Sequence, residues 1–355
     1  MKIVACEVWP VTLTLEEPFT IAYSTTEQVV NYFIRIDTDA GISGFGCSAY
    51  DEEVTGENEY SVGKALNDVA VPLLIGEDPL CYAGILSRLR RQLPTQPTAM
   101  ASVDMALLDI LGKKAELPLY RLLGGSRTSI RSSITIGIQP VVAVVEKARK
   151  WVGKGYTALK IKGGVSVDDD IEKLHKIREA VGSDVQIYFD ANQGYSEEDA
   201  LLCIRTLQAV EAEFIEQPCS KRNLAAFTRL RDLSGGALRI MADEAVLGPE
   251  DAVRVIQAGG ADMYNIKLAK TGGIWRAMKL DAVAAAVGAR TMVGCMDEAG
   301  LGIAAGLHMA LSSPNVEYAD LDGHVEFIDD PTYHAVRIVD GRVYPNDAPG
   351  LGFSL

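Results

Sequence analysis

The sequence contains no apolar run that approaches the length of a membrane-spanning helix. Its opening residues carry a charge at Glu7 and lack the arrangement of a signal peptide. We therefore expect a cytoplasmic protein whose first residues form a β-strand.

Positive charge is scarce, with 34 Lys and Arg against 48 Asp and Glu, and the formal net charge is −14. This excess of negative charge argues against nucleic acids and anionic membranes as partners. The six cysteines are scattered without a Cys-x-x-Cys pair or a cluster with histidine, so neither a zinc site nor a disulfide framework is indicated. The four histidines fit no arrangement with aspartate, and we assign them no role.

The chain has 355 residues, of which 48% are hydrophobic and 23% charged, a composition typical of a globular protein. That length is enough for a barrel and a smaller domain. The first fifty or so residues alternate between apolar and polar in the pattern of an antiparallel meander, and helical patterns follow from about Glu59. The clearest predicted helix spans 99–114. Gly124 and Gly125 predict a helix stop and the end of the N-terminal domain. We therefore predict three parts: an N-terminal α+β domain at 1–125, a barrel at 126–323 and a C-terminal segment at 324–355 that returns to the first domain.

A regular repeat of strands and helices fills the predicted barrel. The strand Ala158-Leu-Lys-Ile-Lys162 carries two lysines on one face because side chains alternate along a strand. Apolar runs that end in Asp190, Glu216 and Asp243 follow at steps of 28, 26 and 27 residues, and the next run ends in Lys267. This period is one strand plus one helix, which predicts a parallel sheet closed into a barrel.

The active site of such a barrel lies at the C-terminal ends of its strands, so Lys160, Lys162 and Lys267 would converge there with the three carboxylates. Three carboxylates without a histidine form a hard oxygen site, and magnesium is the cation that fits best. The lysines come from strands on different sides of the barrel and could reach opposite faces of one bound substrate.

Further residues are candidates because of their positions near the mouth. Thr135 lies in the predicted first barrel strand, 132–138, and Cys295 ends a later strand, although either could equally be a small core residue. Asp297 lies just past an apolar strand, and a charged residue there is best explained if its side chain faces a cavity. Asp320 and Asp322 lie on one side of the last strand, and like charges so close favour a cation, for which a substrate ammonium group is our preferred candidate. Asn192 is equally suited to a ligand contact and to shaping a turn.

These motifs resemble those of the enolase superfamily, muconate-lactonizing-enzyme subgroup, over nearly the whole chain. The matching segments are Lys160-Ile-Lys162, Asp190-Ala-Asn192, Glu216-Gln-Pro218, Asp243-Glu244, and Asn265-Ile-Lys267 followed by Lys270-Thr-Gly-Gly273. Within the subgroup, Cys295-Met-Asp297-Glu298 and Asp320-Leu-Asp322-Gly323 resemble the dipeptide epimerases, including the L-Ala-D/L-Glu epimerases.

The resemblance implies a modified TIM barrel, (β/α)₇β, with an α+β capping domain built from both termini. It implies that Asp190, Glu216 and Asp243 bind Mg²⁺, and that Lys162 and Lys267 are the two acid/base catalysts. The remaining residues that it implies contact the substrate are Thr135, Lys160, Cys295, Asp297, Asp320 and Asp322. Lys160 would lie beside the substrate carboxylate, and the paired aspartates would hold the ammonium group. We also expect a homo-oligomer that acts on a small dipeptide.

The implied reaction needs this set of groups. The α-proton beside a carboxylate is very weakly acidic, and its removal leaves an enediolate that needs a divalent cation and lysines for stabilisation. Inversion requires one group to take the proton from one face and another to return it to the opposite face. We expect lysine pKa values lowered toward neutrality by each other and by the cation.

Two other functions are compatible with parts of the pattern. A lyase or cycloisomerase of the same subgroup, such as o-succinylbenzoate synthase or muconate cycloisomerase, acts on substrates without an ammonium group, so the paired aspartates disfavour it. A barrel that only binds a carboxylated ligand would not need lysines on both faces.

Substrate preference is predicted from the two candidate lid segments, 19–27 and 48–57. Relatives that act on Ala-Glu carry an arginine where this chain aligns Ser24, and serine cannot replace a bidentate ionic partner. We therefore predict that Ala-Xaa with an uncharged or hydrophobic second residue is preferred over Ala-Glu.

Overall fold

The computed structural model describes residues 1–354. An antiparallel sheet opens the chain and confirms the predicted meander; its strands are β1 (Ile3–Thr20), β2 (Thr25–Thr38) and β3 (Ser43–Ala49). β1 and β2 form a long hairpin that pairs from Ile3 and Thr38 to Thr20 and Thr25.

Helices follow this sheet up to residue 122. They are α1 (Glu52–Thr55), α2 (Glu59–Lys64), a π-helical turn (Ala65–Ala70), α3 (Val71–Leu74), a 3₁₀ turn (Pro79–Cys81), α4 (Tyr82–Gln92), α5 (Pro97–Lys114) and α6 (Leu119–Leu122). The helix predicted at 99–114 is therefore confirmed as α5, which begins two residues earlier. It packs directly on β3, because a Cβ atom at Gly44 or Gly46 would lie within about 2 Å of an α5 carbonyl oxygen.

Eight parallel strands form the second sheet, in chain order across it. They are β5 (Ile134–Ile136), β6 (Ala158–Lys162), β7 (Gln186–Asp190), β8 (Phe214–Glu216), β9 (Arg239–Ala242), β10 (Met263–Lys267), β11 (Arg290–Gly294) and β12 (Val316–Ala319). The sheet curls so that its edges meet, where the Ser133 N–H donates to the Ala319 carbonyl at 3.0 Å. The first strand is shorter than predicted, because the Ser132 N–H turns away to Gly341.

Helices connect these strands and complete the predicted α/β barrel. They are α7 (Val141–Gly153), α8 (Val167–Val181), α9 (Glu197–Ala209), α10 (Leu224–Ser234), α11 (Pro249–Gln257), α12 (Leu268–Thr271), α13 (Ile274–Ala286) and α14 (Gly300–Ser312). Local chemistry defines two of the helix starts: Ser196 accepts the Asp199 N–H at 3.1 Å at the start of α9, and Pro249 occupies the first turn of α11.

A third, antiparallel sheet joins the C-terminal segment to the start of the barrel. Its strands are β4 (Ile130–Arg131), β13 (Val336–Val339), which follows a 3₁₀ turn at Tyr333–Ala335, and β14 (Arg342–Pro345). The segment also contacts the N-terminal region, since the Leu351 N–H donates to Asp109 at 2.8 Å and the Phe353 ring packs edge-on against Phe45.

The interior of the barrel holds one buried apolar side chain from each of seven strands. We call this set the apolar layer: Ala158, Tyr188, Phe214, Met241, Met263, Met292 and Tyr318. The Tyr188 and Phe214 rings stack with centroids 4.6 Å apart. Because successive inward-facing residues lie two apart on a strand, the next inward positions reach the C-terminal strand ends.

Among residues 1–354, no single helix is long and apolar enough to cross a membrane; one sharply bent helix pair, 59–74 with 79–92, would qualify by length and composition alone.

Candidate active site

Three buried carboxylates meet at the C-terminal ends of neighbouring strands. Asp190 and Glu216 are the last residues of β7 and β8, and Asp243 directly follows β9. Each offers an oxygen within 4.8 Å of the others. Carboxylates at this spacing repel one another unless a cation lies between them, and the structure thus brings together the three predicted metal ligands.

One oxygen of each carboxylate is held by a donor. The Asn192 N–H donates to Asp190 Oδ1 at 2.9 Å, Asn265 Nδ2 donates to Glu216 Oε1 at 2.7 Å, and Lys270 Nζ donates to one oxygen of Asp243. These contacts fix the orientation of the carboxylates, as supporting groups around metal sites do.

The remaining oxygens of two of the carboxylates lack a geometrically sound hydrogen bond. Glu216 Oε2 and Asp243 Oδ2 are buried and have no hydrogen-bond partner among the described residues, although ammonium groups lie at 2.9 and 2.8 Å in unsuitable orientations. Buried carboxylate oxygens that face ammonium groups without a well-aligned donor, in an all-oxygen set, suit a hard divalent cation such as Mg²⁺. The residues present therefore fit the predicted magnesium.

Two lysine groups flank the carboxylates from opposite sides of the barrel, because β6 and β10 are four strands apart in the eight-stranded sheet. Lys162 Nζ donates to Asp190 at 2.7 Å and to Asn192 at 2.9 Å. On the other side, Lys267 Nζ lies 2.8 Å from Asp243. The two predicted acid/base lysines therefore lie on either side of the three carboxylates.

Lys160 lies between the carboxylates and the last strand. Its Nζ is 2.9 Å from Glu216 and 2.8 Å from Asp320. Burial lowers the pKa of Lys160, but Asp320 and Glu216 outweigh it and the pKa is raised well above its usual value. The pKa of Lys267 is raised for the same reason, with burial opposed chiefly by Asp243. The carboxylates alone therefore raise the pKa values of Lys160 and Lys267, whereas lowered lysine pKa values are expected in the presence of a cation.

The carboxylates respond to the lysines unequally. Burial raises the pKa of Asp190, but Lys162 and Lys160 outweigh it and the net shift is downward. The pKa of Glu216 is raised, first by burial and then by Asp190. Burial and Asp190 thus oppose ionisation of Glu216, and a bound cation would favour it.

Asp320 and Asp322 follow β12 and are both buried. Asp320 accepts hydrogen bonds from Ser133 Oγ at 2.6 Å and from Thr135 Oγ1 at 3.2 Å. The Thr135 N–H donates to Asp322 at 2.5 Å, and Cys295 Sγ lies 3.9 Å from the same carboxylate. Burial and Asp320 raise the pKa of Asp322 to about 7. The predicted pair therefore lies where the last barrel strand, β12, meets the first, β5.

Asp297 lines the same cavity as the lysines and the aspartate pair. Its carbonyl accepts a hydrogen bond from Asn31 Nδ2 at 3.1 Å, and Asn31 Oδ1 accepts the Ala299 N–H at 2.9 Å. These contacts join the N-terminal sheet to the loop after β11. Burial raises the pKa of the Asp297 carboxyl group. This group makes no hydrogen bond with any of residues 1–354.

The cavity is covered by both predicted lid segments, which contribute Phe19, Ile21, Tyr23, Tyr50, Asp51 and Val54. The Tyr23 hydroxyl donates to Asp51 at 3.4 Å, and Lys221 Nζ donates to the Glu53 carbonyl at 3.0 Å. Ser24 is exposed at the turn between β1 and β2 and does not line the cavity. A long side chain would be needed to reach the cavity from that turn.

The turn after Lys162 is fixed by a buried network. Gly164 has φ +99°, and a Cβ atom there would lie 2.1 Å from the Ala191 carbonyl, so only glycine fits. Its N–H donates to Asp170 at 2.9 Å, which also accepts from the Tyr195 hydroxyl at 2.5 Å and from Lys173 at 2.6 Å. This network holds the strand end that carries Lys162.

Several residues that complete the site were not predicted to have a role in it. Asn265 and Lys270 lay within quoted motifs, and the spacing of Asn265 two residues before Lys267 places it on the same strand face. Ser133, Asn31, Asp51 and Glu326 lay outside the motifs, and no periodicity in the sequence marks them.

Two family models match the chain. The model described as "Mandelate racemase / muconate lactonizing enzyme, N-terminal domain" matches residues 3–124, and the one described as "Enolase C-terminal domain-like" matches residues 143–355. Together they cover most of the sequence.

Individual proteins are similar over the whole chain. The L-Lys-D/L-Arg epimerase of Desulforapulum autotrophicum is 37% identical over 354 residues, which are 99% of each chain. The structure of the substrate-liganded L-Ala-D/L-Glu epimerase from Bacillus subtilis is 33% identical with a TM-score of 0.95, covering 99% of this chain and 98% of that one. The dipeptide epimerase of Enterococcus faecalis V583, solved with Mg and the dipeptide L-Leu-L-Tyr, is 33% identical with a TM-score of 0.95 and full coverage of both.

These relatives are named epimerases, and the protein is accordingly an isomerase. Both family models and the full-length similarity confirm the resemblance described from the motifs. The chain belongs to the enolase superfamily, with the N- and C-terminal domains of its mandelate racemase and muconate lactonizing enzyme group.

Proposed function

We propose that this protein is a magnesium-dependent dipeptide epimerase that inverts the α-carbon of the C-terminal residue. The observation that carries the proposal is the placement of Lys162 and Lys267 on opposite sides of three buried carboxylates. Full-length relatives named for dipeptide substrates, from Desulforapulum autotrophicum and Enterococcus faecalis, support the substrate class.

Asp190, Glu216 and Asp243 would hold the cation. When bound, Mg²⁺ supplies positive charge that stabilises the negative charge developing on the substrate carboxylate. Lys160 adds a second positive group on the same side, since its ammonium lies within 3.2 Å of Asp190 and 2.9 Å of Glu216.

The two lysines move the proton. A neutral Lys162 or Lys267 takes the α-proton from one face, and the electron pair of the broken C–H bond moves into the carboxylate as an enediolate. The protonated lysine on the opposite side then gives a proton to the α-carbon, and the inverted epimer results. In the reverse direction the two lysines exchange roles, so each must be present for either direction.

The aspartate pair would hold the substrate's ammonium group. Ser133 and Thr135 hold Asp320 and Asp322 in place by hydrogen bonds. The two carboxylates therefore form a negatively charged surface beside the lysines that suits a cation. A charge-assisted contact of this kind orients the dipeptide with its C-terminal α-carbon between the lysines. Thr135, Cys295 and Asp297 would complete the contacts, and substrates of the lyase type have no group for this pair.

Removal of the cation should abolish epimerisation. Three carboxylates supply fewer than the roughly six oxygens that a hard cation takes, which leaves positions for water and the substrate. We expect no turnover after exhaustive chelation and full recovery on addition of Mg²⁺, measured by chiral chromatography of Ala-Ala. Full activity of the chelated enzyme would refute the metal's role.

The second-residue site should prefer an uncharged side chain. Ser24 offers no ionic partner, and Ile21 and Tyr23 line the cavity next to it. We expect kcat/KM for Ala-Ala, Ala-Val and Ala-Phe to exceed that for Ala-Glu by at least about tenfold, the value of one lost ionic contact. In a Ser24→Arg variant, the difference in kcat/KM between these dipeptides and Ala-Glu should become smaller. A clear preference of the parent enzyme for Ala-Glu would contradict the proposal.

A further inference from the structure

One carboxylate of the cavity has no part in the proposed reaction. Glu326 lies four residues after Asp322 and lines the cavity together with Leu15, Phe19 and Ile134. Its side chain is half-buried, and its carboxylate makes no hydrogen bond or ion pair with any of residues 1–354. A partly buried charge without a hydrogen bond or ion pair costs free energy unless a ligand compensates it.

The position of Glu326 is fixed, and Lys147, the cation with the largest effect on its pKa, is already engaged. The Glu326 carbonyl accepts the Glu16 N–H at 2.8 Å, which ties this segment to β1. Lys147 forms its ion pair with Glu17 at 2.6 Å. Burial raises the pKa of Glu326, and Lys147 only partly offsets the shift. Lys147 and Lys150 therefore compensate this charge only in part.

The cavity as a whole has an excess of negative charge. Five acidic residues line it, Asp51, Asp297, Asp320, Asp322 and Glu326, and the lysines that line it are Lys160, Lys162 and Lys267. Each of these lysines is already within ion-pair distance of a deeper carboxylate of the metal site. A substrate with an additional positive charge is favoured in such a cavity, and one with an additional negative charge is repelled.

We propose that Glu326 is a specificity-determining residue that binds a cationic side chain on the first residue of the dipeptide, so that Lys-Xaa and Arg-Xaa are preferred over Ala-Xaa. The proposal rests on the proposed epimerase function. The first residue is the one concerned because Glu326 lies four residues after the proposed ammonium site, just beyond a turn in which the Val325 N–H donates to the Asp322 carbonyl at 2.8 Å. Leu15 and Phe19 would cover the aliphatic stem of the side chain.

The test compares kcat/KM for Lys-Ala, Nε-acetyl-Lys-Ala and Ala-Ala. In the parent enzyme we expect Lys-Ala to exceed the acetylated dipeptide by at least tenfold, because acetylation removes only the charge. In Glu326→Gln the ratio of Lys-Ala to Ala-Ala should fall by tenfold or more. Glu179→Gln is the matched control, since it removes an exposed carboxylate on α8 outside the cavity, and its ratio should equal that of the parent.

The outcomes separate this inference from the function on which it rests. Equal rates for Lys-Ala and its acetylated form in the parent, or an unchanged ratio in a folded Glu326→Gln, would overturn the role of Glu326 while Ala-Ala turnover upholds the epimerase. A preference for Ala-Lys over Lys-Ala would overturn the assignment to the first residue. Absence of turnover with every dipeptide tested would instead refute the proposed function.

Discussion

Two layers of side chains inside the barrel differ in chemistry although they lie only two residues apart on the same strands. Tyr188, Phe214 and Met241 belong to the apolar layer, and the next inward residues after them are Asp190, Glu216 and Asp243. All of these side chains are almost fully buried. Burial alone therefore does not distinguish the layers.

The apolar layer is explained by stability, and the charged layer is not. Stacked rings such as Tyr188 and Phe214 gain free energy from burial and from their mutual contact. Buried carboxylates and lysines pay a desolvation cost that well-packed apolar residues of the same volume would avoid. A layer that is costly to bury and surrounds a cavity is organised for chemistry, whereas its neighbour holds the strands together.

The largest expected effect is on the charged layer. Replacing Lys162 or Lys267 by Ala should reduce epimerisation on the order of 10³-fold or more in both directions, because each direction needs both lysines. Lys176→Ala, at an exposed position on α8, is the control and should retain parent activity. Single lysine variants that epimerise at the parent rate would show that the charged layer is not the layer responsible for catalysis.

The converse effect is expected in the apolar layer. Phe214→Ala removes a fully buried ring and should lower the free energy of unfolding by about 3–5 kcal/mol, measured by chemical denaturation. Leu202→Ala, at a residue 39% exposed, should cost less than about 1 kcal/mol. A Phe214 variant of parent stability that lost activity would break the distinction between the layers.

A smaller effect is expected at the edge of the charged layer. Asp322→Asn should raise KM for a dipeptide by about 10- to 100-fold, because a charge-assisted contact to the ammonium group is lost. Asp184→Asn, at an exposed position, should leave KM unchanged. For the parent enzyme, N-acetylated dipeptides should be poor substrates, and equal rates with and without acetylation would show that the pair does not bind an ammonium group.

Much of this division was predictable from the sequence. The repeat of strands and helices fixed the order of the barrel strands, and alternation placed Asp190, Glu216 and Lys267 at strand ends facing inward. The charged residues could be recognised in the sequence because charged side chains are rarely buried, so a charge at the end of an apolar strand indicates a special site.

The residues that were missed depend on contacts between distant parts of the chain. Ser133 reaches Asp320 only because the first and last strands meet when the sheet closes. Asn31 contacts the loop after β11 only because the N-terminal sheet lies against the barrel. Glu326 follows the last barrel strand by several residues, and its place in the cavity depends on its backbone contact with β1. No local pattern encodes any of these three contacts.

The central claim, that two lysines act on opposite faces of one α-carbon, is tested most directly by solvent-deuterium exchange. Lys162→Ala and Lys267→Ala would each be incubated in D₂O with Mg²⁺ and either epimer of Ala-Ala, and deuterium at the α-carbon read by mass. We expect each variant to exchange one epimer without inverting it, and the two variants to exchange opposite epimers. Exchange of the same epimer by both variants, or inversion by either at the parent rate, would contradict the central claim.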